Sequence, residues 1–156
     1  MFGSDDDELL GKSLDIANLV ASGGQDAPSS GIVGAKVSSD AQILLHDFQL
    51  RGIPAKIGMA GVGQELTQGL KMYRQSKTIL AIKKLSPTEA QIHFFTLDDE
   101  PTFQKLVAFW IDKLKQAGCH IIYDTVADPH IVKALQMVGV QLQPSDNPKY
   151  KLKGMI

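Results

Sequence analysis

A single cysteine, Cys119, stands in a chain of 156 residues, so no intramolecular disulfide framework can form. Apolar runs are short, and none approaches the roughly 18 residues that a membrane-spanning helix needs. Neither sign of charge dominates. The 16 Lys and Arg against 17 Asp and Glu leave a formal net charge of -1, which gives no general attraction to nucleic acid or to an anionic membrane. The lysines are interspersed with acids rather than gathered into a phosphate track. The four histidines, His46, His93, His120 and His130, form no HxH, HxxxH or paired Cys/His spacing of the kind that binds a metal. The first ten residues, MFGSDDDELL, are acidic, unlike a secretory signal or an Arg-rich transit peptide. What remains is 44% hydrophobic and 21% charged, the composition of a soluble protein made inside a cell. A domain of this length can bury about two-thirds of its unfolded surface.

The second half carries the clearest grammar. Residues 78–85 (TILAIKKL) and 89–97 (EAQIHFFTL) are β-branched and aromatic runs joined by Ser86-Pro87-Thr88, the signature of a hairpin. Beyond them Phe103, Leu106, Val107, Trp110, Ile111 and Leu114 recur at helical steps, with Thr102 placed to cap the helix and Gly118 to end it. Residues 120–126 (HIIYDTV) predict a strand, residues 129–138 a helix that stops at Gly139, and residues 140–142 and 150–155 two closing strands. The predicted order is β-β-α-β-α-β-β.

The first half is less regular. Residues 5–21 predict an amphipathic helix with Ser4 as cap, and residues 22–31 (SGGQDAPSSG) a linker, so that residues 1–31 form a tethered arm and residues 32–156 the main domain. The stripe of Leu9, Leu10, Leu14, Leu19 and Val20 is then a candidate partner-binding face. Gly11-Lys12-Ser13 ends like a phosphate loop, but Asp6 stands where its first glycine belongs. Residues 32–37 (IVGAKV) predict a first strand, and Ser38 or Ser39 caps a helix running through Leu50. Residues 51–63, with four glycines and Pro54, predict a loop, and residues 64–75 a helix weakened by Gly69.

In layout, and in the text DTVADPHIVKALQMVGVQL, residues 32–156 resemble the GCN5-related N-acetyltransferase (GNAT) fold. Within it, the short terminal helix and the closing YKLKGMI resemble acetyltransferase-like proteins encoded among virion genes of short-tailed phages. The resemblance implies an α/β (α+β) mixed sheet flanked by helices, carrying an N-terminal helical arm. It also implies an Arg/Gln-x-x-Gly-x-Gly/Ala loop for the acetyl-CoA pyrophosphate, where this chain has Leu97-Asp98-Asp99-Glu100-Pro101-Thr102. Three carboxylates there, and a proline without an N–H, oppose an anion. The tyrosine acid that the resemblance implies falls on Leu135, which cannot transfer a proton. Glu89 and His93 are candidate bases, read as the exposed face of a strand. The expectation is therefore a non-catalytic GNAT-like structural or interaction protein with no cofactor and no metal. It would be a phage virion component, located in the virion or host cytoplasm, docking on protein partners through its arm. The alternative is an N-acyltransferase that uses acetyl-CoA through a divergent cofactor loop, with backbone near Leu97 or the glycines at 58–63 taking over binding.

Overall fold

The computed structural model describes residues 10–23 and 38–156. The described chain opens with a two-residue strand, β1 (Lys12–Ser13), and a short helix, α1 (Ile16–Gly23). Helices α2 (Ser39–Leu50) and α3 (Ala55–Leu66) come next, then strands β2 (Lys71–Gln75), β3 (Thr78–Ser86) and β4 (Glu89–Thr96). The long helix α4 (Glu100–Gln116) leads to β5 (Ile121–Asp124) and α5 (Pro129–Met137). Strands β6 (Gln141–Gln143) and β7 (Leu152–Met155) close the chain. The strands make one mixed sheet in the order β1-β2-β3-β4-β5-β7-β6, in which β4 and β5 are the parallel pair. None of the described helices is long and apolar enough to cross a membrane.

One face of the sheet is covered by α4 and α5. The stripe of Phe103, Val107, Trp110, Ile111 and Leu114 on α4 is buried against Leu80, Ile82, Ile92 and Phe94 of β3 and β4. The cap of α4 is Asp99 rather than Thr102: the Asp99 carboxylate accepts the Thr102 N–H at 2.9 Å. Lys113 and Lys115 sit at the negative end of the helix dipole, and Gly118, at φ +90°, turns the chain out of the helix. Leu135 on α5 is part of this core.

The other face is covered by α1, α2 and α3, and here the chain departs from the sequence expectation in three places. The helix expected over residues 5–21 is broken at Gly11, whose φ of +119° lies in the left-handed region. A Cβ there would meet the Arg74 carbonyl oxygen at 2.9 Å, so glycine lets β1 lie along β2. Residues 51–63 are largely helix, not loop. Gly58 allows the Phe48 ring to rest on the α3 backbone, since a Cβ would meet that ring at 2.5 Å. Residues 64–75 are not one helix: α3 stops at Leu66, Gly69 takes φ +96°, and β2 pairs with β3 through a two-residue turn at Ser76-Lys77. Met72 and Tyr73 then enter opposite cores, which rewards the strand over a short helix.

The expected strand at 32–37, most of the 22–31 linker, and Leu9 lie outside the described residues. Leu10 is buried in the α4-side core, and its carbonyl accepts the Trp110 indole N–H at 2.6 Å. Leu19 is buried in the α2–α3 side, with Leu14 and Val20 packed against it. Leu10 and Leu19 are thus buried within the described chain, while Leu14 and Val20 are partly buried.

Candidate functional site

Strands β4 and β5 run side by side until β5 ends at Asp124, while β4 runs on to Thr96. Their last paired residues are Gln91 and Tyr123, and among the described residues β4 continues through residues 92–96 with no partner strand on that edge. The space outside the carboxyl ends of parallel strands, an opening here beyond the end of β5, is the usual place for a ligand in an α/β sheet.

His93 stands at this opening. Its Nδ1 lies 3.1 and 3.0 Å from the two carboxylate oxygens of Asp124, at the end of β5. Its Nε2 lies 3.4 Å from the Asp47 carboxylate on α2, close enough for attraction but without hydrogen-bond geometry. Among the described residues, Nε2 is the buried side-chain polar atom with no hydrogen-bond partner. Burial pushes the imidazolium pKa down, but the two carboxylates outweigh it and raise it to about 9. Burial pushes the Asp47 carboxyl up, while His93 and Arg51 together hold it below its usual range. Arg51 pairs with Asp47 at 2.6 Å, so Asp47, His93, Asp124 and Arg51 form a cluster of balanced charge tying α2 to β4 and β5.

His93 is therefore not on an exposed strand face; its side chain is 12% exposed because α2 and α3 cover that side. Asp47 and Asp124 were not singled out from the sequence. Their signal was phase: Asp47 falls in the buried stripe of Ile43, Leu44 and Phe48, and Asp124 alternates with buried Ile122.

Cavities lie on both faces of β4. One, of about 370 Å3, is bounded by Phe94 and Leu97, by Phe103 at the start of α4, by Ile131 on α5 and by Leu50 on α2. The other, of about 320 Å3, lies under α2 and α3, with Gln91, His93 and Phe95 on its floor and Phe48, Ile57 and Gly61 along its wall. The described surface of the first carries the carboxylates of Asp47, Asp98, Glu100 and Asp128.

A pyrophosphate does not fit the helix starts beside this first cavity. At α4, the Thr102 N–H is held by the Asp99 carboxylate, the Phe103 N–H by the Asp99 carbonyl, and Pro101 has none. At α5, Asp128 caps in the same way, accepting the His130 N–H on its carboxylate at 2.8 Å and the Val132 N–H on its carbonyl at 2.9 Å; Pro129 has no N–H. Lys133 is taken by an ion pair with Glu100. Asp98 accepts from the Ser76 hydroxyl, the Lys77 N–H and the Thr78 hydroxyl, so it locks the β2–β3 turn.

The other sequence candidates lie apart from the opening. Glu89 sits where β4 and β5 are still paired, accepting from the Ser86 and Tyr123 hydroxyls. His120 is exposed and bonds through its backbone to Thr88, before the start of β4, so it does not meet His93. His46 and His130 are exposed at the rim of the first cavity. Cys119 is buried, and that burial pushes its thiol up to about 11, the opposite of an activated nucleophile.

No family model and no curated protein matches this sequence. Solved structures do match. Aminoglycoside 6′-acetyltransferase type Ii shares the fold at a TM-score of 0.52 and 12% identity, over 92% of this chain and 93% of that one. A protein provisionally described as a phosphinothricin N-acetyltransferase matches at 0.49 and 5% identity, over 72% and 85%. A variant of spermidine N-acetyltransferase from Vibrio cholerae matches at 0.44 and 10%, over 92% and 90%. Nothing in these matches concerns virion genes. The expectation of a non-catalytic virion component is overturned, since the structure that shares this fold is described as an aminoglycoside 6′-acetyltransferase, and the expectation of no cofactor is left without support. That expectation rested on the turn at residues 97–102 and on Leu135 in place of a tyrosine, whereas the structure has a cavity on each face of β4. The α+β sheet, with its parallel β4–β5 pair between two helical layers, is the GCN5-related N-acetyltransferase fold.

Proposed function

We propose that the chain is an N-acyltransferase that moves an acyl group from a thioester such as acetyl-CoA to an amine. The observation that carries the reading is the end of β5 at Asp124 while β4 runs on to Thr96, with a cavity on each face of β4 and His93 lining one of them. The thioester arm is assigned to the 370 Å3 cavity, and the amine to the mainly apolar cavity under α2 and α3. The reaction forms an N–C bond and breaks a C–S bond, and the proton released by the amine ends on the departing thiol.

His93 is charged at neutral pH, so it does not receive that proton as a general base. Its place is to hold α2, β4 and β5 in register around the opening. Leu135 and Cys119 are interior and take no part.

The test is acetyl transfer by the full chain to a panel of primary amines, followed by thiol release and mass of the product. Amine-dependent release of one thiol per acetylated amine is expected. Absence of product with every amine, from protein shown to be folded, would overturn the reading.

A further inference from the structure

The thioester cavity and its surroundings offer no grip for the nucleotide of a donor. The two helix starts that border it are each capped by an aspartate of the chain itself, and each has a proline in its first turn. The lysine beside them is paired with Glu100. Four acidic residues, Asp47, Asp98, Glu100 and Asp128, line the space. Asp98 and Asp128 accept from neutral donors and keep their negative charge against a pyrophosphate, while Glu100 takes up the Lys133 ammonium. The volume points the same way: about 370 Å3 is near the small end of ligand cavities, which run from about 300 to 1,000 Å3. Apolar Phe94, Leu97, Phe103 and Ile131, with Thr96 and Gln104 among them, suit a slender, uncharged chain containing amides.

Resting on the acyltransferase reading, we infer that this chain recognises its donor by the acylated pantetheine arm alone and gains no binding from the nucleotide. The donor class is then an acyl thioester on a pantetheine-type arm, for which coenzyme A is one carrier among those that present the same thiol. The absence of a nucleotide grip follows from where the aspartate caps and prolines stand, so acetyl-CoA remains a substrate while its ADP half stays in solvent.

Calorimetric titration of the full chain with three probes tests this without knowledge of the amine: coenzyme A, pantetheine, and adenosine 3′,5′-bisphosphate. Coenzyme A and pantetheine are expected to bind within about threefold of each other, and the bisphosphate not at all at millimolar concentration. Coenzyme A binding more than tenfold tighter than pantetheine, or saturable binding of the bisphosphate, would overturn the inference and leave the acyltransferase reading standing. Failure of both thiols to bind would overturn the two together. A double variant, Glu100→Gln with Asp128→Asn, keeps a competent cap at α5, because asparagine caps as well as aspartate. It is expected to move the ratio of the two thiol affinities several-fold toward coenzyme A, and an unmoved ratio counts against the inference.

Discussion

The two faces of β4 are built on different principles. Toward α4 and α5 the strand presents Ile92 and Phe94, which meet Phe103 and Trp110 in an apolar core. Toward α2 and α3 it presents Gln91, His93 and Phe95, and that side also buries Asp47, together with Lys83 held by Glu65 at 2.6 Å. The first face gains its stability from area removed from water. The second trades some of that gain for charges that hold the opening between β4 and β5, and buried charge is tolerated only where it is paired.

The comparison is broken most directly at Trp110. It is fully buried, stacks beside Phe94 with ring centroids 5.9 Å apart, and binds the Leu10 carbonyl. Trp110→Ala is expected to cost about 3–5 kcal/mol in chemical denaturation, a cavity plus an abandoned carbonyl. A loss below about 1 kcal/mol would mean that this face is not the main store of stability.

The opposite face should reveal itself through pH. His93 has a folded pKa of about 9 against an ordinary value of 6.5, so the folded state holds its proton more tightly than the unfolded state. The stabilisation is fully present below pH 6.5 and is lost as pH rises through 9. At about 1.4 kcal/mol per unit the loss amounts to about 3 kcal/mol. Thermal midpoints measured between pH 6 and 10 should fall across this window, and His93→Gln should flatten the fall. A wild-type midpoint that stays level would show that the Asp47–His93–Asp124 cluster does not hold a proton as its geometry implies.

The same contrast explains what was legible in the sequence. The face toward α4 and α5 was readable because local pattern and tertiary packing agree: the stripe from Phe103 to Leu114 is helical in spacing and buried in fact. The hairpin, the helix after β5 and the element order of this half were readable for the same reason. On the other face local pattern and packing disagree. Glycines at 58, 61 and 63 predict a loop, yet the chain is helical there because Gly58 admits Phe48. Residues 71–75 score as helix until β3 is there to pair with them. The acids at 98–100 were read as hostile to an anion, but their local duties were hidden: Asp98 locks a turn 21 residues earlier, and Asp99 caps α4. The site itself was invisible, because Asp47, His93 and Asp124 meet only when three separate elements pack.

The smallest effect gives the sharpest comparison, since it is made within α3. A Cβ on Gly58 would meet three atoms of the Phe48 ring at 2.5–2.7 Å, whereas a Cβ on Gly61, one turn away, finds nothing within 4 Å among the described residues. Both are helix-interior glycines, where alanine is intrinsically better by about 1 kcal/mol. Gly58→Ala must displace a ring that packs edge-on against Phe95, 6.1 Å between centroids, and overpacking of this kind costs about 1–3 kcal/mol. Gly61→Ala keeps the propensity gain, so it should raise stability by up to about 1 kcal/mol. Because Gly61 also lines the cavity under α2 and α3, larger replacements there should narrow the space assigned to the amine while leaving the fold in place. Denaturation of the two alanine variants side by side decides the matter: opposite signs support a close-packed Gly58 beside an open cavity at Gly61, and equal losses at both would show that the cavity wall is already filled.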